Sequence, residues 1–181
     1  HSNLAVYSLK AYAEENLIKE LNEKIEIKLA EYTVNQQVDA ILQEIYKQQP
    51  DMLCFSCYIW NREYVEKLIV ELGKLLPACA IFLGGPEVSY NTDYYLDKYS
   101  NVIGVMVGEG EETFLDVARR FCEGQENAEL REEVDKENEL VCSCYDNIAG
   151  LCTRENRKPT LREPLDMSSL PFPYSDLKEF E

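Results

Sequence analysis

Two glycine-bearing turns are the parts of the sequence best suited to hold a ligand. The first glycine turn, residues 84–87 (GGPE), ends an apolar run, and the second glycine turn is residues 108–111 (GEGE). Because glycine has no Cβ, its main-chain N–H and C=O groups can contact a flat or bulky ligand directly. Each turn alone could equally be a tight connection from a strand to a helix. Two such turns after neighbouring strands favour a ligand-binding surface.

The second glycine turn does not match the glycine motifs that bind phosphate. It lacks the third glycine of a dinucleotide-binding fingerprint, and the chain contains no Gly-Lys-Ser or Gly-Lys-Thr of a phosphate loop. Glu111 and Glu112 would repel a phosphate, and at the start of a helix they would interact favourably with the helix dipole. A structural role explains these carboxylates at least as well as a functional one.

The cysteines and one aromatic residue are weaker candidates. Cys54 and Cys57 form a Cys-x-x-Cys pair, but on a strand these positions point to opposite faces, so we expect core packing rather than redox chemistry. A zinc site formed by Cys142, Cys144 and Cys152 with Cys54 or Cys57 is the less favoured alternative, because Cys-x-Cys lacks the paired spacing of known sites. Trp60 could stack on a flat ligand or cover the edge of the core.

Alternating strands and helices must position these residues. Apolar positions at three- and four-residue steps predict helices over 2–21, 35–49, 61–76 and 112–122, with a short helix or turn over 90–98. Strands are predicted over 25–34, 52–60, 80–83 and 102–107, the first of them near a sheet edge. This order requires right-handed crossovers and a doubly wound parallel sheet of the α/β class. Ligands bind such sheets at the carboxyl ends of the strands.

The composition changes after this alternation. Residues 1–124 form the predicted α/β domain, and residues 125–139, which are mostly polar and acidic, predict a solvated linker. Two apolar runs around Asp146 and Asn147 predict a hairpin. The proline-rich end of the chain predicts an extended strap, so residues 140–181 are interpreted as a hairpin followed by a strap.

The charge and the cysteine content exclude several classes of function. The chain has 34 acidic and 18 basic residues, and a net charge of -16 would repel nucleic acid and anionic lipid. No stretch approaches the roughly 20 apolar residues that cross a bilayer. Seven cysteines are an odd number without the density of a disulfide scaffold. We therefore expect a cytoplasmic protein with reduced thiols that binds neither nucleic acid nor membranes.

Five stretches of the chain resemble one family. In order and spacing they are similar to the N-terminal cobalamin (vitamin B12)-binding domain of cobalamin-dependent radical S-adenosylmethionine (SAM) enzymes: HSNLAVYSLKAYAEE, PDMLCFSCYIWN, IFLGGPEVSY, VGEGEETF and SSLPFPYSDL. The resemblance implies a flavodoxin-like, Rossmann-like three-layer sheet that holds cobalamin at its carboxyl edge. By position it implies that the cofactor is contacted by Ser2, Asn3, Ser56, Tyr58, Gly84, Gly85, Pro86, Gly108, Glu109 and Gly110.

The resemblance also implies parts that this chain lacks. In the family, a following domain carries a 4Fe-4S cluster on Cys-x-x-x-Cys-x-x-Cys and uses SAM, and no cysteines here have that spacing. The family's usual first strand has no counterpart ahead of the first helix, which would leave a central strand position to be filled by the tail or by a second chain. The chain thus resembles a fragment that is not itself catalytic. Its expected partners are cobalamin, the radical SAM domain of the full-length enzyme and a second copy in a homodimer.

The single histidine bears on the cobalt ligand. His1 is the only histidine, and it lies outside any Asp-x-His-x-x-Gly motif, so the resemblance implies cobalamin bound without a histidine lower ligand. That arrangement is compatible with methyl transfer by the full-length protein. Two alternatives stay open: a degenerate domain that serves as an interaction or substrate-presenting module, and a flavodoxin-like domain that binds another nucleotide-like ligand.

Overall fold

A parallel sheet lies at the centre of the molecule. The computed structural model describes residues 4–21, 25–130, 145–166, 168 and 170–172. Within these residues the sheet has four strands in the order β1-β2-β3-β4, which are β1 (Met52–Ser56), β2 (Ala80–Gly84), β3 (Val102–Met106) and β4 (Leu151–Cys152). β1, β2 and β3 are parallel, and β4 runs antiparallel to β3.

Helices cover both faces of this sheet. They are α1 (Leu4–Leu21), α2 (Val38–Gln48), α3 (Arg62–Leu75), α4 (Pro86–Ser89), α5 (Thr92–Lys98) and α6 (Glu111–Leu130). Buried side chains of α2 and α3 pack on one face together with α4 and α5, and those of α1 and α6 pack on the other. The three-layer, doubly wound α/β class predicted from the sequence is confirmed.

The middle strand shows why the sequence folds in this way. β2 sends Ile81 and Leu83 into the cluster with α2 and α3, and Ala80 and Phe82 into the cluster with α1 and α6. Side chains alternate between the faces of a strand, so a strand covered on both faces must be apolar throughout. The predicted helix stripes are also found, since Val65, with Leu68, Ile69 and Leu72, is buried on α3.

The predicted strand over residues 25–34 is wrong. Residues 25–33 have no regular secondary structure, although Ile25, Ile27 and Leu29 are less exposed than the residues between them. Ile25 and Ile27 pack against the cluster of α1 and α6. Within the described residues, β1 pairs with β2 alone, and its outer edge has no neighbour. The exposure of side chains therefore alternates in this segment, but among the described residues no neighbouring strand forms the hydrogen bonds that would make the segment a strand.

Several predicted boundaries also need correction. β1 ends at Ser56, so residues 57–60 form a loop. The short helix predicted over 90–98 is found as α5 (Thr92–Lys98), and a further short helix, α4, which was not predicted, precedes it. α6 continues to Leu130, past the predicted start of the linker at residue 125, because residues such as Glu, Gln and Ala extend a helix already anchored by packing. Residues 131–144, with most of the linker and the first arm of the predicted hairpin, lie outside the described residues, and β4 pairs with β3.

Candidate functional site

The ends of the parallel strands and the start of α1 meet at the carboxyl edge of the sheet. Ser56 is the register partner of Gly84, and a Cβ built on Gly84 would lie 3.7 Å from Met106 Cβ at the end of β3. The Ser8 hydroxyl donates to Glu111 Oε1 at 3.0 Å, which places the start of α1 beside the start of α6. The two glycine turns, the β1 loop and the N-terminus of α1 therefore surround one edge.

The first glycine turn is closed by the protein's own main chain. Cys57 N donates to Gly84 O at 2.7 Å, and Glu87 N donates to Cys57 O at 3.3 Å. Gly85 has φ +102, and a Cβ there would lie 2.5 Å from Cys57 O. Ser89 Oγ donates to Gly85 O at 2.8 Å. These main-chain groups bond within the protein, so Gly85 fits the structural alternative of a tight strand-to-helix connection.

The second glycine turn faces open space. Gly108 has φ +80, and a Cβ built on it would meet no atom within 4 Å. Gly110 is bounded by α1, because its Cβ position lies 3.0 Å from Leu9 Cδ2. Glu109 Oε2 accepts a hydrogen bond from Leu165 N at 2.8 Å. The turn thus offers bare main chain at Gly108, with a helix on one side and residues 158–166, here called the strap, on the other.

The β1 loop, residues 57–61, presents aromatic side chains at the same edge. The rings of Tyr58 and Trp60 stack with centroids 4.6 Å apart and an interplanar angle of 12°. Trp60 is 66% exposed and Ile59 is 75% exposed. Exposed aromatic surface at the carboxyl edge of a parallel sheet is suited to bind a flat or apolar group.

Asn61 holds this loop in place. Its Oδ1 accepts from Tyr58 N at 2.7 Å, and its Nδ2 donates to Ser56 O at 2.9 Å. Asn61 occupies the N-cap position of α3, but its side chain makes no cap hydrogen bond to that helix. Asparagine favours such local turns, so the residue type was an available signal for this role.

A charged network supports α4 behind the first glycine turn. Glu66 Oε1 accepts from Arg62 Nε at 2.9 Å, and Glu66 Oε2 accepts from Tyr99 Oη at 2.8 Å and Lys98 Nζ at 3.0 Å. Arg62 also pairs with Glu87 at 3.1 Å. Burial raises the pKa of Glu66, but the hydrogen bonds from Arg62, Tyr99 and Lys98 outweigh it and lower the pKa to about 2. Glu66 is therefore a charged structural hub at neutral pH.

The cysteine predictions have mixed outcomes. Cys57 is fully buried, and burial raises the pKa of its thiol to about 11, as expected of core packing. Cys54, in β1, is instead exposed among the described residues. No three metal-ligating side chains come together in the part of the chain that the structure describes, and Cys142 and Cys144 lie outside it.

Most of the predicted site residues lie at this edge. Those that the structure brings there are Ser56, Tyr58, Gly84, Gly85, Pro86, Gly108, Glu109 and Gly110. Ser2 and Asn3 lie outside the described residues. The sequence suggested Trp60 only as an alternative and missed its stacking with Tyr58. Among the described helices, none has the length and apolar character needed to span a membrane.

Comparison with known proteins finds one family. The family model described as "B12 binding domain" matches residues 1–118. A curated relative, the cobalamin-dependent radical SAM methyltransferase TokK of Streptomyces tokunonensis, is 30% identical over 69 residues, which are 38% of this chain and 10% of TokK. The matched region is therefore a small part of that relative.

Solved structures share the fold. The cobalamin-dependent S-adenosylmethionine radical enzyme OxsB, with aqua-cobalamin and S-adenosylmethionine bound, superposes with a TM-score of 0.68 at 17% identity. Apo, selenomethionine-labelled OxsB gives a TM-score of 0.65, also at 17% identity. In both cases the match covers 98% of this chain and 22% of OxsB. The described architecture thus corresponds to about a fifth of a longer enzyme.

Proposed function

Because the chain belongs to the B12-binding domain family, we propose that it is the cobalamin-binding module of a cobalamin-dependent radical SAM enzyme. The cofactor would lie on the carboxyl edge of the sheet. The observation that carries this proposal is the open space at Gly108, at the edge of a sheet that shares its fold with OxsB, a protein whose structure holds aqua-cobalamin. Ligands bind open parallel sheets at this edge.

The residues present fit a corrin ring in three respects. Gly108 places no side chain between a ligand and the main chain. The stacked Tyr58 and Trp60 give a flat apolar surface, which suits the face of a large macrocycle. Pro86 is exposed at the end of the first glycine turn, so this closed turn would pack against the ligand through its outer surface. Ser2 and Asn3 remain proposed contacts.

The chain's own residues would bind and orient the cofactor. When bound, cobalamin supplies a cobalt centre that can carry a methyl group. Asn61 would keep the aromatic pair in place, and the Glu66 network would keep α4 in place. Since His1 is the only histidine of the sequence, we propose that no histidine of the sheet edge ligates cobalt from below. A His1→Ala variant would then bind cobalamin with an unchanged visible spectrum.

We propose that the chemistry of the whole enzyme needs a further domain. That domain would hold the 4Fe-4S cluster and S-adenosylmethionine, and the full-length protein would act as a methyltransferase, as the name of TokK suggests. The chain described here would then be a non-catalytic part of a cytoplasmic enzyme.

We further propose that an additional parallel strand pairs with the outer edge of β1. This edge has no neighbour among the described residues, although β1 is an apolar run. Unpaired backbone groups in an apolar environment are costly, so a strand in this place would stabilise the sheet. Residues of the family's expected first strand, or a second copy in a homodimer, are the candidate occupants.

Titration with hydroxocobalamin tests the main proposal. The protein is mixed with excess hydroxocobalamin, free cofactor is removed by gel filtration, and the visible spectrum gives the cobalamin bound per chain. We expect retention close to one cobalamin per chain. The titration is repeated with the polypeptide extended at its N-terminus to include the additional strand.

A colourless protein in both forms would refute the cofactor proposal. It would favour the alternative of an interaction module, in which the exposed side chains of Ile59 and Trp60 would form a contact surface. Binding by the extended form alone would confirm the role of the additional strand and keep the cofactor proposal.

A further inference from the structure

The strap is tied to the start of α6, just after the second glycine turn, through one half-buried cation. Arg162 Nη1 pairs with Glu112 at 3.0 Å and its Nη2 pairs with Asp116, both on the first two turns of α6. Its Nε donates to Thr113 Oγ1 and to Ala149 O, each at 3.1 Å. The side chain of Arg162 is 17% exposed. One guanidinium thus joins the strap, the start of α6 and the turn before β4.

The fork geometry of arginine suits this position. A guanidinium has five N–H donors in one plane, so it can bind two carboxylates and two neutral acceptors together, which an ammonium group cannot do in this arrangement. Glu112 and Asp116 are four residues apart on one helix and would repel each other without a cation between them. Arg162 therefore neutralises an acidic helix start that lies beside the proposed site.

The same strap reaches the rim of the proposed site three residues later. Leu165 N donates to Glu109 Oε2 at 2.8 Å, which fixes the carboxylate of the residue between Gly108 and Gly110. A main-chain hydrogen bond holds the strap on the other side of Arg162. There, Gly150 N donates to Thr160 O at 2.8 Å. Gly150 O accepts from Val107 N at 2.8 Å, so the anchor continues to the residue before Gly108.

We infer that Arg162 is a positioning residue for cobalamin binding, because it fixes the strap so that Leu165 holds Glu109 beside the open space at Gly108. This inference rests on the proposed function. Coupling between two events is reciprocal, so a docked strap favours the bound cofactor and the bound cofactor favours a docked strap by the same factor.

Two measurements on the whole chain test this inference. Hydrogen exchange of the Leu165 amide reports strap docking without cofactor, and hydroxocobalamin titration reports affinity. We expect Arg162→Ala to speed the exchange and to weaken the affinity, each by about tenfold, which lies in the usual range of coupling factors. Cobalamin should slow the Leu165 exchange in the wild-type chain and much less in the variant.

Matched variants separate positioning from folding. Arg162→Lys should restore only part of the affinity, since it keeps the charge without the planar fork. Arg157 makes a similar double pair, with Asp93 and Asp97 on α5, away from the second glycine turn. Arg157→Ala should leave the affinity and the Leu165 exchange within about twofold of wild type. A circular dichroism melt of each variant checks that it is folded.

The outcomes distinguish this inference from the function on which it rests. If the wild-type chain binds cobalamin and Arg162→Ala binds it equally well, the positioning role is wrong and the cofactor proposal stands. Equal losses in Arg162→Ala and Arg157→Ala would also overturn it, because the effect would then be one of general stability. If neither the wild-type chain nor its N-terminally extended form binds cobalamin, both proposals are refuted; if only the extended form binds, the variants are compared in that form. Unchanged Leu165 exchange in Arg162→Ala refutes the anchoring role directly.

Discussion

The two glycine turns look alike in the sequence and differ in the structure. Gly85 and Gly108 both have positive φ at the ends of neighbouring parallel strands. A Cβ on Gly85 would lie 2.5 Å from Cys57 O, whereas a Cβ on Gly108 would meet nothing within 4 Å. The first turn needs glycine because the protein's own backbone fills the space. The second turn leaves its space for something else, which is why the proposed site is centred there.

The largest expected effect is that of Gly85→Ala on stability. The φ of +102 and ψ of 167 at this position belong to a region that is essentially restricted to glycine, and the new Cβ would clash with Cys57 O. We expect a loss of about 3 to 5 kcal/mol in the free energy of unfolding from strain and overpacking together. Urea unfolding followed by circular dichroism measures this loss.

Gly124→Ala is the matched control for this prediction. Gly124 lies within α6 and has open space at its Cβ position. Alanine there should stabilise the helix by about 0.5 to 1 kcal/mol, which is the opposite sign. A Gly85→Ala protein within about 1 kcal/mol of wild type would show that the first turn is not closed as described.

A smaller effect is expected from acid on the network behind the first turn. The pKa of Glu66 is lowered in the folded state from its ordinary value of 4.5 to about 2. The stability that this carboxylate contributes is therefore present above about pH 4.5 and is lost as the pH falls toward 2. Glu66→Gln should be less stable than wild type at pH 7, and the difference should shrink between pH 4.5 and pH 2.

Glu71→Gln provides the comparison for the acid series. Glu71 pairs with Lys74 on the exposed side of α3, and such pairs contribute little. Urea unfolding at pH 7, 4.5 and 3 should show a pH-dependent difference for Glu66→Gln and almost none for Glu71→Gln. Parallel behaviour of the two variants would mean that the network around Glu66 does not hold α4 in place.

The smallest expected effect is a contrast in amide hydrogen exchange between the two turns. The Cys57 amide donates to Gly84 O at 2.7 Å and should exchange slowly. The Gly108 amide lies in the exposed second turn and should exchange faster. Added hydroxocobalamin should slow exchange in the second turn and leave the Cys57 amide unchanged. Slowing at Cys57 alone would move the site to the first turn.

The sequence was sufficient for the class of fold and for bringing most of the proposed site residues to one edge of the sheet. Long apolar stripes such as that of α3 and the continuous apolar run of β2 depend on local periodicity, and they predicted the sheet and its covering helices. The difference between Gly85 and Gly108 could not be predicted, because it depends on Cys57 O, a main-chain atom contributed by the loop after a different strand. The hydrogen bonds of Asn61 with Tyr58 N and Ser56 O could not be predicted either, since an asparagine at this position could equally cap α3.

Residues 25–34 show another limit of the sequence. The alternation of Ile25, Ile27 and Leu29 correctly predicted which side chains are less exposed, but an alternating pattern does not supply a hydrogen-bonding neighbour. The length of α6 was underestimated because residues 123–130 have helix-forming side chains without an apolar stripe. Patterns of burial were thus predicted better than pairing or helix ends.

The central claim is that the space at Gly108 holds cobalamin, and a comparison of Gly108→Leu with Gly108→Ala tests it most directly. Both variants carry the same strain from φ +80, so the difference between them reports the filling of the open space. Hydroxocobalamin titration should show that Gly108→Leu binds at least about tenfold more weakly than Gly108→Ala, because the leucine side chain would occupy the space proposed for the cofactor. Gly124→Leu, far from this turn in the sequence, should bind as wild type does. Equal affinities of the two Gly108 variants would contradict the account.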